Sequence, residues 1–188
     1  SREAFTDETV FAAEVAHIFE STWLFLGLES QIPNPHDFLT TYMGRQPVLL
    51  TRDSKGDIAC FLNTCRHKGA VVCPYKQGNA RAHMCRYHGW AYSSGGKNIN
   101  IAQAIDGQYA QTFNEQNHDL TPIARLASYR GLIFGSLSED VPSLEEHLGD
   151  VRRFLDLVID QGPKGLEVLP GTVAYTFDAN WKLQFENG

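Results

Sequence analysis

One stretch of 26 residues, from Cys65 to Trp90, limits what this chain can be. It reads "CRHKGAVVCPYKQGNARAHMCRYHGW" and contains two Cys–His pairs. Cys65 and His67 are separated by one residue, Cys85 and His88 by two, and seventeen residues lie between the pairs. Thiolates and imidazoles at such short spacing are typical metal ligands. The spacing therefore predicts a metal centre held by two loops.

Cysteine usage favours a metal over disulfides. The chain has 188 residues, enough for a core that needs no disulfide scaffold, and only four cysteines. Paired Cys and His in such a protein more often bind a metal. Cys60 and Cys73 are interpreted as ordinary buried residues, since Cys60 falls in the strand-like pattern "IACF". The other histidines receive the same interpretation: His17, His36, His83, His118 and His147.

Three interpretations of the two pairs compete. One is a chance pairing of buried cysteines with hydrogen-bonded histidines. Another is structural zinc, which also takes two Cys and two His, although zinc fingers usually pair Cys with Cys and His with His. The third is a Rieske 2Fe-2S cluster, in which two Cys hold one iron and two His hold the other. Two mixed pairs satisfy both irons at once, so the pattern favours Cys65 and Cys85 on one iron and His67 and His88 on the other.

Charge is unevenly distributed along the chain. No Asp or Glu occurs between Ile58 and Ile105, and this basic window carries six cations, whereas the remainder carries 10 basic and 22 acidic residues. The net charge of −6 disfavours nucleic-acid binding. A basic surface on an acidic protein suits an acidic protein partner or an anionic cofactor. The cations of the basic window are Arg66, Lys68, Lys76, Arg81, Arg86 and Lys97.

Periodicity predicts short strands between two helices. One helix is predicted over residues 7–21 and another over 143–160, where Ser143 and Glu146 form a capping-box pattern. Residues 98–122 are predicted to be a long loop, and Arg130-Gly131 a turn between strands. The stretches predicted as strands are "WLFLGLES", "DFLTTYMG", "QPVLLTRD", "DIACFLNT", "WAYSSGGK", "ARLASYRGLIFGSL" and "LEVLPGTVAYTFD".

Two further positions separate branches of the Rieske proteins. High-potential respiratory Rieske proteins carry an additional cysteine pair that would fall at positions 70 and 87, where this chain has Ala70 and Tyr87. The chain instead resembles the large (α) subunits of Rieske non-haem iron aromatic-ring-hydroxylating oxygenases, most closely the benzoate, anthranilate and salicylate group. The resemblance runs from the first helix to the last residue. It is carried by "CRHKG", "CRYHGW", "TWLFLGLESQIPNPHDFLTTYMGRQPVLL", "SYRGLIFGSL" and "NWKLQFENG".

The resemblance implies a mainly β fold. We expect a Rieske domain of short antiparallel strands with two cluster-binding loops at residues 38–138. Residues 1–37 would form an N-terminal helix and lead-in segment that packs with the catalytic domain. Residues 139–188 would contribute helices and a strand to the start of a truncated α+β catalytic domain. "NWKLQFENG" stops without a turn or helix stop, so we expect the chain to continue beyond Gly188.

By the same resemblance, the cluster accepts electrons from NAD(P)H through a ferredoxin or reductase. A mononuclear Fe(II), with ligands beyond Gly188, then uses O₂ to hydroxylate or cis-dihydroxylate an aromatic ring. No catalytic residue is expected within the chain. Asn187 matches a family residue near that iron, with an ordinary helix-surface asparagine as the alternative. Trp90 is expected to pack over the cluster loops or in the core.

The resemblance also implies a homotrimer, with or without a small β subunit, that takes part in aromatic hydrocarbon catabolism. No apolar run approaches the roughly 18 residues of a membrane helix, and no signal peptide is visible. A cytoplasmic protein without membrane or nucleic-acid partners is therefore expected. The alternatives are a stand-alone Rieske ferredoxin, which would end near residue 138, and a zinc-binding structural module.

Overall fold

The computed structural model describes residues 1–102, 109–169, 171 and 175–186. Its helices are α1 (Glu3–Thr6), α2 (Glu8–Glu14), α3 (Gln111–Asn114), α4 (Leu144–Leu148), α5 (Val151–Ile159) and α6 (Lys182–Glu186). A π-helical turn at Val15–Phe19 continues α2, and a 3₁₀ turn occupies Glu29–Gln31. The strands are β1 (Leu24–Leu28), β2 (Asp37–Met43), β3 (Gln46–Arg52), β4 (Ile58–Leu62), β5 (Gln77–Asn79), β6 (Ala82–Met84), β7 (Ala91–Ser93), β8 (Asn98–Asn100), β9 (Arg125–Tyr129) and β10 (Leu132–Ser136).

These strands form three antiparallel sheets. The central sheet has the order β4-β3-β2-β5, and the others have the orders β1-β10-β9 and β6-β7-β8. The turn predicted at Arg130-Gly131 joins β9 to β10, with φ of 49° and 88° at its two residues. Two consecutive positive φ values match the twist of a tight hairpin. The mainly β fold expected from the sequence is confirmed.

The central sheet separates two hydrophobic cores. Side chains alternate between the faces of a strand, and on β3 Leu49 enters one core while Val48 and Leu50 enter the other. The first core also contains Cys65 and Cys85, so it lies beneath the two Cys–His loops. The second core lies between the central sheet and β1 and β10, and it contains Leu26, Ile32, Met43, Cys60, Ile123 and Ile133.

Three sequence predictions need correction. The segment 98–122 is more than a loop, because its described residues include β8 and α3. The helix predicted over 143–160 is two helices, since Gly149 at φ 49° breaks it after α4. Its predicted cap is confirmed, because Ser143 and Glu146 form the reciprocal hydrogen bonds. The described residues of the predicted strand 166–178 lie in no sheet.

The helix predicted over residues 7–21 is present as α2 and the π-helical turn that continues it. The predicted span of 7–21 begins correctly, because the Asp7 side chain accepts a hydrogen bond from the Thr9 amide and caps α2. After Glu14 the backbone widens into the π-helical turn. In the described part of the chain, no helix combines the length and apolar character required to cross a bilayer.

Candidate metal centre

Two loops with the same hydrogen-bond pattern form the candidate site. Loop 1 is residues 65–70, after β4, and loop 2 is residues 85–90, between β6 and β7. In loop 1 the amide of Cys65 donates to the carbonyl of Ala70 at 2.8 Å, and that of Gly69 donates to the carbonyl of Cys65 at 2.9 Å. The loop 2 equivalents are Cys85 to Trp90 at 2.8 Å and Gly89 to Cys85 at 3.0 Å. The two loops therefore present their cysteines in equivalent turns.

Glycine is required at the fourth position after each cysteine. Gly69 and Gly89 have φ of 75° and 72°, in the left-handed region that L side chains rarely adopt. The turn closes only through this conformation, because the glycine amide bonds back to the cysteine carbonyl. The motifs "CRHKG" and "CRYHG" thus contain the candidate metal ligands and also the glycine that determines the shape of each loop.

The two cysteines lie in the first core. Cys65 is 4% exposed and Cys85 2% exposed. The hydroxyl of Tyr92, on β7, lies 3.3 Å from the Sγ of Cys65 and accepts a hydrogen bond from the Arg66 amide at 3.0 Å. Burial, followed by the hydrogen bond to Cys65, raises the pKa of Tyr92, so its proton remains available for donation to sulfur.

The two histidines lie closer to the surface. The ring centroids of His67 and His88 are 4.5 Å apart, and His67 stacks on the indole of Trp90 at 4.9 Å and 10°. Burial lowers the pKa of His67, with smaller contributions from the neighbouring His88 and Lys68. His67 is therefore neutral at pH 7, the state in which imidazole binds a metal.

An unpartnered ring nitrogen supports a ligand at this place. The Nδ1 of His67 is buried and has no hydrogen-bond partner among the described residues. Buried polar atoms are rarely left unpaired, because each costs about 1–3 kcal/mol. A metal ion bound at Nδ1 would satisfy this atom. Two thiols and two imidazoles on paired loops therefore fit a 2Fe-2S cluster with two protein ligands per iron.

No group of three or more His, Cys, Asp or Glu side chains within the described ranges is arranged to hold a single metal ion. A cluster whose protein ligands are divided two per iron does not require such a group. His67, His88 and Trp90 line a common cavity of about 210 Å³, together with Ala102 and Tyr109. Both imidazoles thus face one space beside the loops.

Trp90 fulfils both of its expected roles. It is 1% exposed in the first core and also stacks on His67. Tyr92 was not singled out from the sequence, although it follows Trp90 by two residues, and both side chains lie in the first core. Asn187 lies outside the described residues.

The remaining cysteines and histidines do not belong to the two loop turns. Cys60 is buried in the second core, as expected, and burial raises its pKa to about 12. The Nδ1 of His36 lies 2.8 Å from the Ser94 hydroxyl, and the Nε2 of His118 lies 2.7 Å from the Phe113 carbonyl oxygen. The expectation of hydrogen-bonded histidines is wrong for His83, whose buried Nε2 has no partner among the described residues.

The basic window forms an exposed surface. All six of its cations are exposed, and none forms an ion pair with a residue that the structure describes. Arg86 lies over the ring of Tyr75, with its guanidinium carbon 5.3 Å from the centroid, and also hydrogen-bonds to its hydroxyl. Exposed apolar side chains near the loops are Val71, Tyr75, Met84 and Tyr87.

Comparisons with known proteins agree with this geometry. Residues 22–114 match the Rieske 2Fe-2S domain family. The whole chain is 48% identical to the toluate 1,2-dioxygenase subunit alpha of Pseudomonas putida and 47% identical to the 2-halobenzoate 1,2-dioxygenase large subunit of Burkholderia cepacia. It spans 41% and 40% of the lengths of these relatives. The structure of naphthalene 1,2-dioxygenase from Rhodococcus sp. bound to indole matches 96% of this chain and 41% of its own, at 38% identity and a TM-score of 0.86.

Proposed function

Because this chain belongs to the large subunits of Rieske aromatic-ring dioxygenases, we propose that it is the electron-accepting part of such an oxygenase. The observation that carries the proposal is the pair of equivalent loops, with two buried cysteines and the unpartnered Nδ1 of His67. The complete subunit would hydroxylate or cis-dihydroxylate an aromatic ring with O₂ and electrons from NAD(P)H.

Four residues would hold the cluster. Cys65 and Cys85 would bind one iron through their thiolates, and His67 and His88 the other through neutral imidazoles. When bound, the cluster accepts and passes on one electron at a time, with a potential raised by its histidine ligands. The chain keeps the two kinds of ligand in different surroundings, because the cysteines are buried and His88 is exposed.

Residues around the loops would influence the charge on the Cys65 sulfur and the orientation of the His67 ring. With Cys65 as a thiolate, Tyr92 would donate a hydrogen bond to its sulfur and stabilise the negative charge there. Trp90 holds the ring plane of His67 by stacking and covers one of its faces. The Arg66 amide fixes the Tyr92 hydroxyl so that its proton points away from the amide and is available to sulfur. The hydrogen bond from Tyr92 would favour the reduced, more negative state of a bound cluster.

The basic window would receive the electron donor. Six cations that form no ion pair with a described residue, on a chain of net charge −6, would create a local field that attracts an acidic ferredoxin or reductase. His88 is exposed within this surface, so a docked donor would come close to an imidazole ligand of the cluster. Electron transfer from the donor would therefore begin at the loops.

The substrate we propose is an aromatic carboxylate. Toluate and 2-halobenzoate, named for the relatives at 48% and 47% identity, both belong to this class. The mononuclear Fe(II) that activates O₂ would be bound by a part of the subunit that this chain does not span. A homotrimer, with or without a β subunit, would bring that iron close to a cluster, and Asn187 would lie near it.

The extent of the similarity favours an oxygenase subunit over a stand-alone ferredoxin. The Rieske match ends at residue 114, whereas the similarity to the toluate relative covers all 188 residues. Helices α4, α5 and α6 lie in this additional part. We accordingly propose a Rieske domain at 38–138, with residues 1–37 and 139–188 belonging to the catalytic half.

Two experiments test the proposed function. The visible absorption spectrum of the anaerobically purified chain should show an iron–sulfur cluster, and a colourless zinc protein would contradict the assignment. The subunit extended to the length of its relatives should convert benzoate or a toluate to a hydroxylated product when a reductase and NADH are supplied. A cluster-loaded subunit that oxidises benzene but no aromatic acid would contradict the substrate class alone.

A further inference from the structure

A small cavity beside the two loops contains a second Cys and a second His. It has a volume of about 110 Å³ and is lined by Cys73 and His83, with Phe38 and Met84 also in its wall. Neither Cys73 nor His83 belongs to the four residues assigned to the cluster. We propose that Cys73 and His83 form a separate site for a soft monovalent metal ion, Cu(I).

His83 supplies the first observation. It is 5% exposed on β6, and its Nε2 is buried without a hydrogen-bond partner in the described part of the chain. The ring meets Phe38 edge to face, with centroids 5.0 Å apart, so its orientation is held by packing. A buried imidazole nitrogen without a partner is an available ligand for a metal.

Cys73 supplies the second observation. It is 4% exposed and forms no disulfide, and among the described residues its Sγ has only a long contact of 3.8 Å to the Tyr75 carbonyl oxygen. Its backbone is fixed by Asn63, whose amide donates to the Cys73 carbonyl at 2.7 Å and accepts from its N–H at 2.8 Å. The thiol is therefore held in place beside the cavity while its sulfur remains without a strong partner.

The chemical types of the donor atoms in this cavity indicate which metal ion it would bind. Thiolate and thioether sulfur favour Cu(I), and imidazole also suits copper. The cavity offers a thiol from Cys73 and an imidazole from His83, whereas no carboxylate lines it. Hard ions such as Mg²⁺ and Ca²⁺ need oxygen ligands and would find none from side chains here. On binding, the Cys73 sulfur would bond to Cu(I) and release its proton to solvent.

A metal ion at this site would connect the chain segments next to the two loops. Cys73 follows loop 1 by three residues, and His83 precedes loop 2 by two. A metal bonded to both would cross-link the segment leaving the first loop with the strand entering the second. Binding to the folded state alone would stabilise that arrangement by mass action.

The test is a Cu(I) titration of the anaerobic, cluster-loaded chain against a chromophoric Cu(I) chelator. We expect one Cu(I) per chain to be retained, with no loss of the cluster's visible absorption. Cys73→Ala and His83→Leu should each weaken retention by at least tenfold while keeping the cluster spectrum. Cys60→Ala is the matched control, since Cys60 is equally buried but lies in the other core, and it should bind as the wild type does.

Several results would overturn the proposal. Unchanged retention in Cys73→Ala or His83→Leu would show that these residues are not ligands. Loss of cluster absorption in step with copper uptake would place the metal at the cluster thiolates instead. Cys73→Ser removes the thiol but nearly keeps the volume of the side chain, so it should also weaken Cu(I) retention. It is the variant to use if either other variant fails to assemble a cluster, and unchanged retention in it would contradict the proposal. Equal weakening in Cys60→Ala would show a general effect of removing a cysteine.

Discussion

The hydroxyl of Tyr92 lies 3.3 Å from the Sγ of Cys65, and Tyr92 is completely buried. Because the same hydroxyl accepts a hydrogen bond from the Arg66 amide, its own proton is free to be donated to a Cys65 thiolate. Hydrogen bonds to cluster sulfurs are among the features that determine the reduction potential of an iron–sulfur protein. Tyr92 therefore connects the packing of the first core to the redox property of the loops.

Tyr92→Phe should lower the reduction potential. Removing the donor withdraws stabilisation from the reduced cluster, which carries more negative charge, and a loss of about 1 kcal/mol corresponds to roughly 40 mV. Spectroelectrochemical titration would measure the shift. Tyr42→Phe is the control, because Tyr42 is 70% exposed on β2. An unchanged potential in Tyr92→Phe would mean that the hydroxyl does not donate to sulfur.

Charge reversal in the basic window should slow reduction. The double variant Lys68→Glu, Arg86→Glu weakens attraction of an acidic donor, so the association rate should fall and depend less on salt. The control Arg153→Glu, Lys164→Glu makes the same change in net charge elsewhere. Stopped-flow reduction at several ionic strengths compares them. Equal slowing in both variants would indicate a net-charge effect and contradict a specific docking surface.

Gly96→Ala should destabilise the domain more than Gly56→Ala. Both glycines have positive φ, 78° and 94°, so both variants carry backbone strain. A Cβ at Gly96 would lie 2.4 Å from the ring of Phe61, whereas one at Gly56 would meet nothing within 4 Å. We expect Gly96→Ala to cost about 1–3 kcal/mol beyond the cost of Gly56→Ala. Urea unfolding measures both, and equal values would contradict the close approach of Phe61.

Acid should weaken the contact between α2 and the last helix. The Glu14 carboxylate pairs with Lys182 at 2.5 Å and accepts from the Trp181 indole at 3.0 Å, and these contacts, Lys182 first, lower its pKa from 4.5. Because the pKa of Glu14 is lower in the folded state than in the unfolded state, its charge stabilises the folded state fully above pH 4.5. This stabilisation is lost as the pH falls through the pKa that Glu14 has in the folded state.

The unfolding free energies of wild type and Glu14→Gln measure this effect. Their difference should be constant above about pH 5 and shrink as the pH falls below the ordinary carboxyl pKa of about 4.5. Asp150→Asn is the control, since Asp150 forms an exposed pair with Arg153 at 3.9 Å. A difference that does not change with pH would show that the Glu14 charge contributes nothing to this contact.

Local patterns predicted much of this structure from the sequence. The β-branched runs located β2, β3 and β4, and the Ser143–Glu146 pattern located the start of α4, because these features depend on neighbours in the chain. Strands β5 and β6 were not predicted, since each has three residues and β5 depends on pairing with the distant β2. The break at Gly149 was missed because the apolar period continues across it.

In the candidate site, too, the local features could be predicted from the sequence and the features that depend on distant residues could not. Ligand types and spacing are local, so the four cluster residues could be proposed from the motif alone. The environment of those residues depends on distant contacts: Phe113 and His118 reach Trp90 from 23 and 28 residues away in the chain. Likewise, the ring nitrogens of His67 and His83 that have no partner among the described residues depend on packing that the sequence does not show.

Replacement of a single thiol decides whether Cys65, His67, Cys85 and His88 bind a 2Fe-2S cluster, as we propose. Visible absorption and iron and sulfide content should be measured for Cys85→Ala and Cys60→Ala, two equally buried cysteines. Alanine cannot replace a thiolate ligand, so Cys85→Ala should lose the cluster while Cys60→Ala keeps about two irons and two sulfides per chain. An intact Rieske spectrum in Cys85→Ala would contradict the assignment.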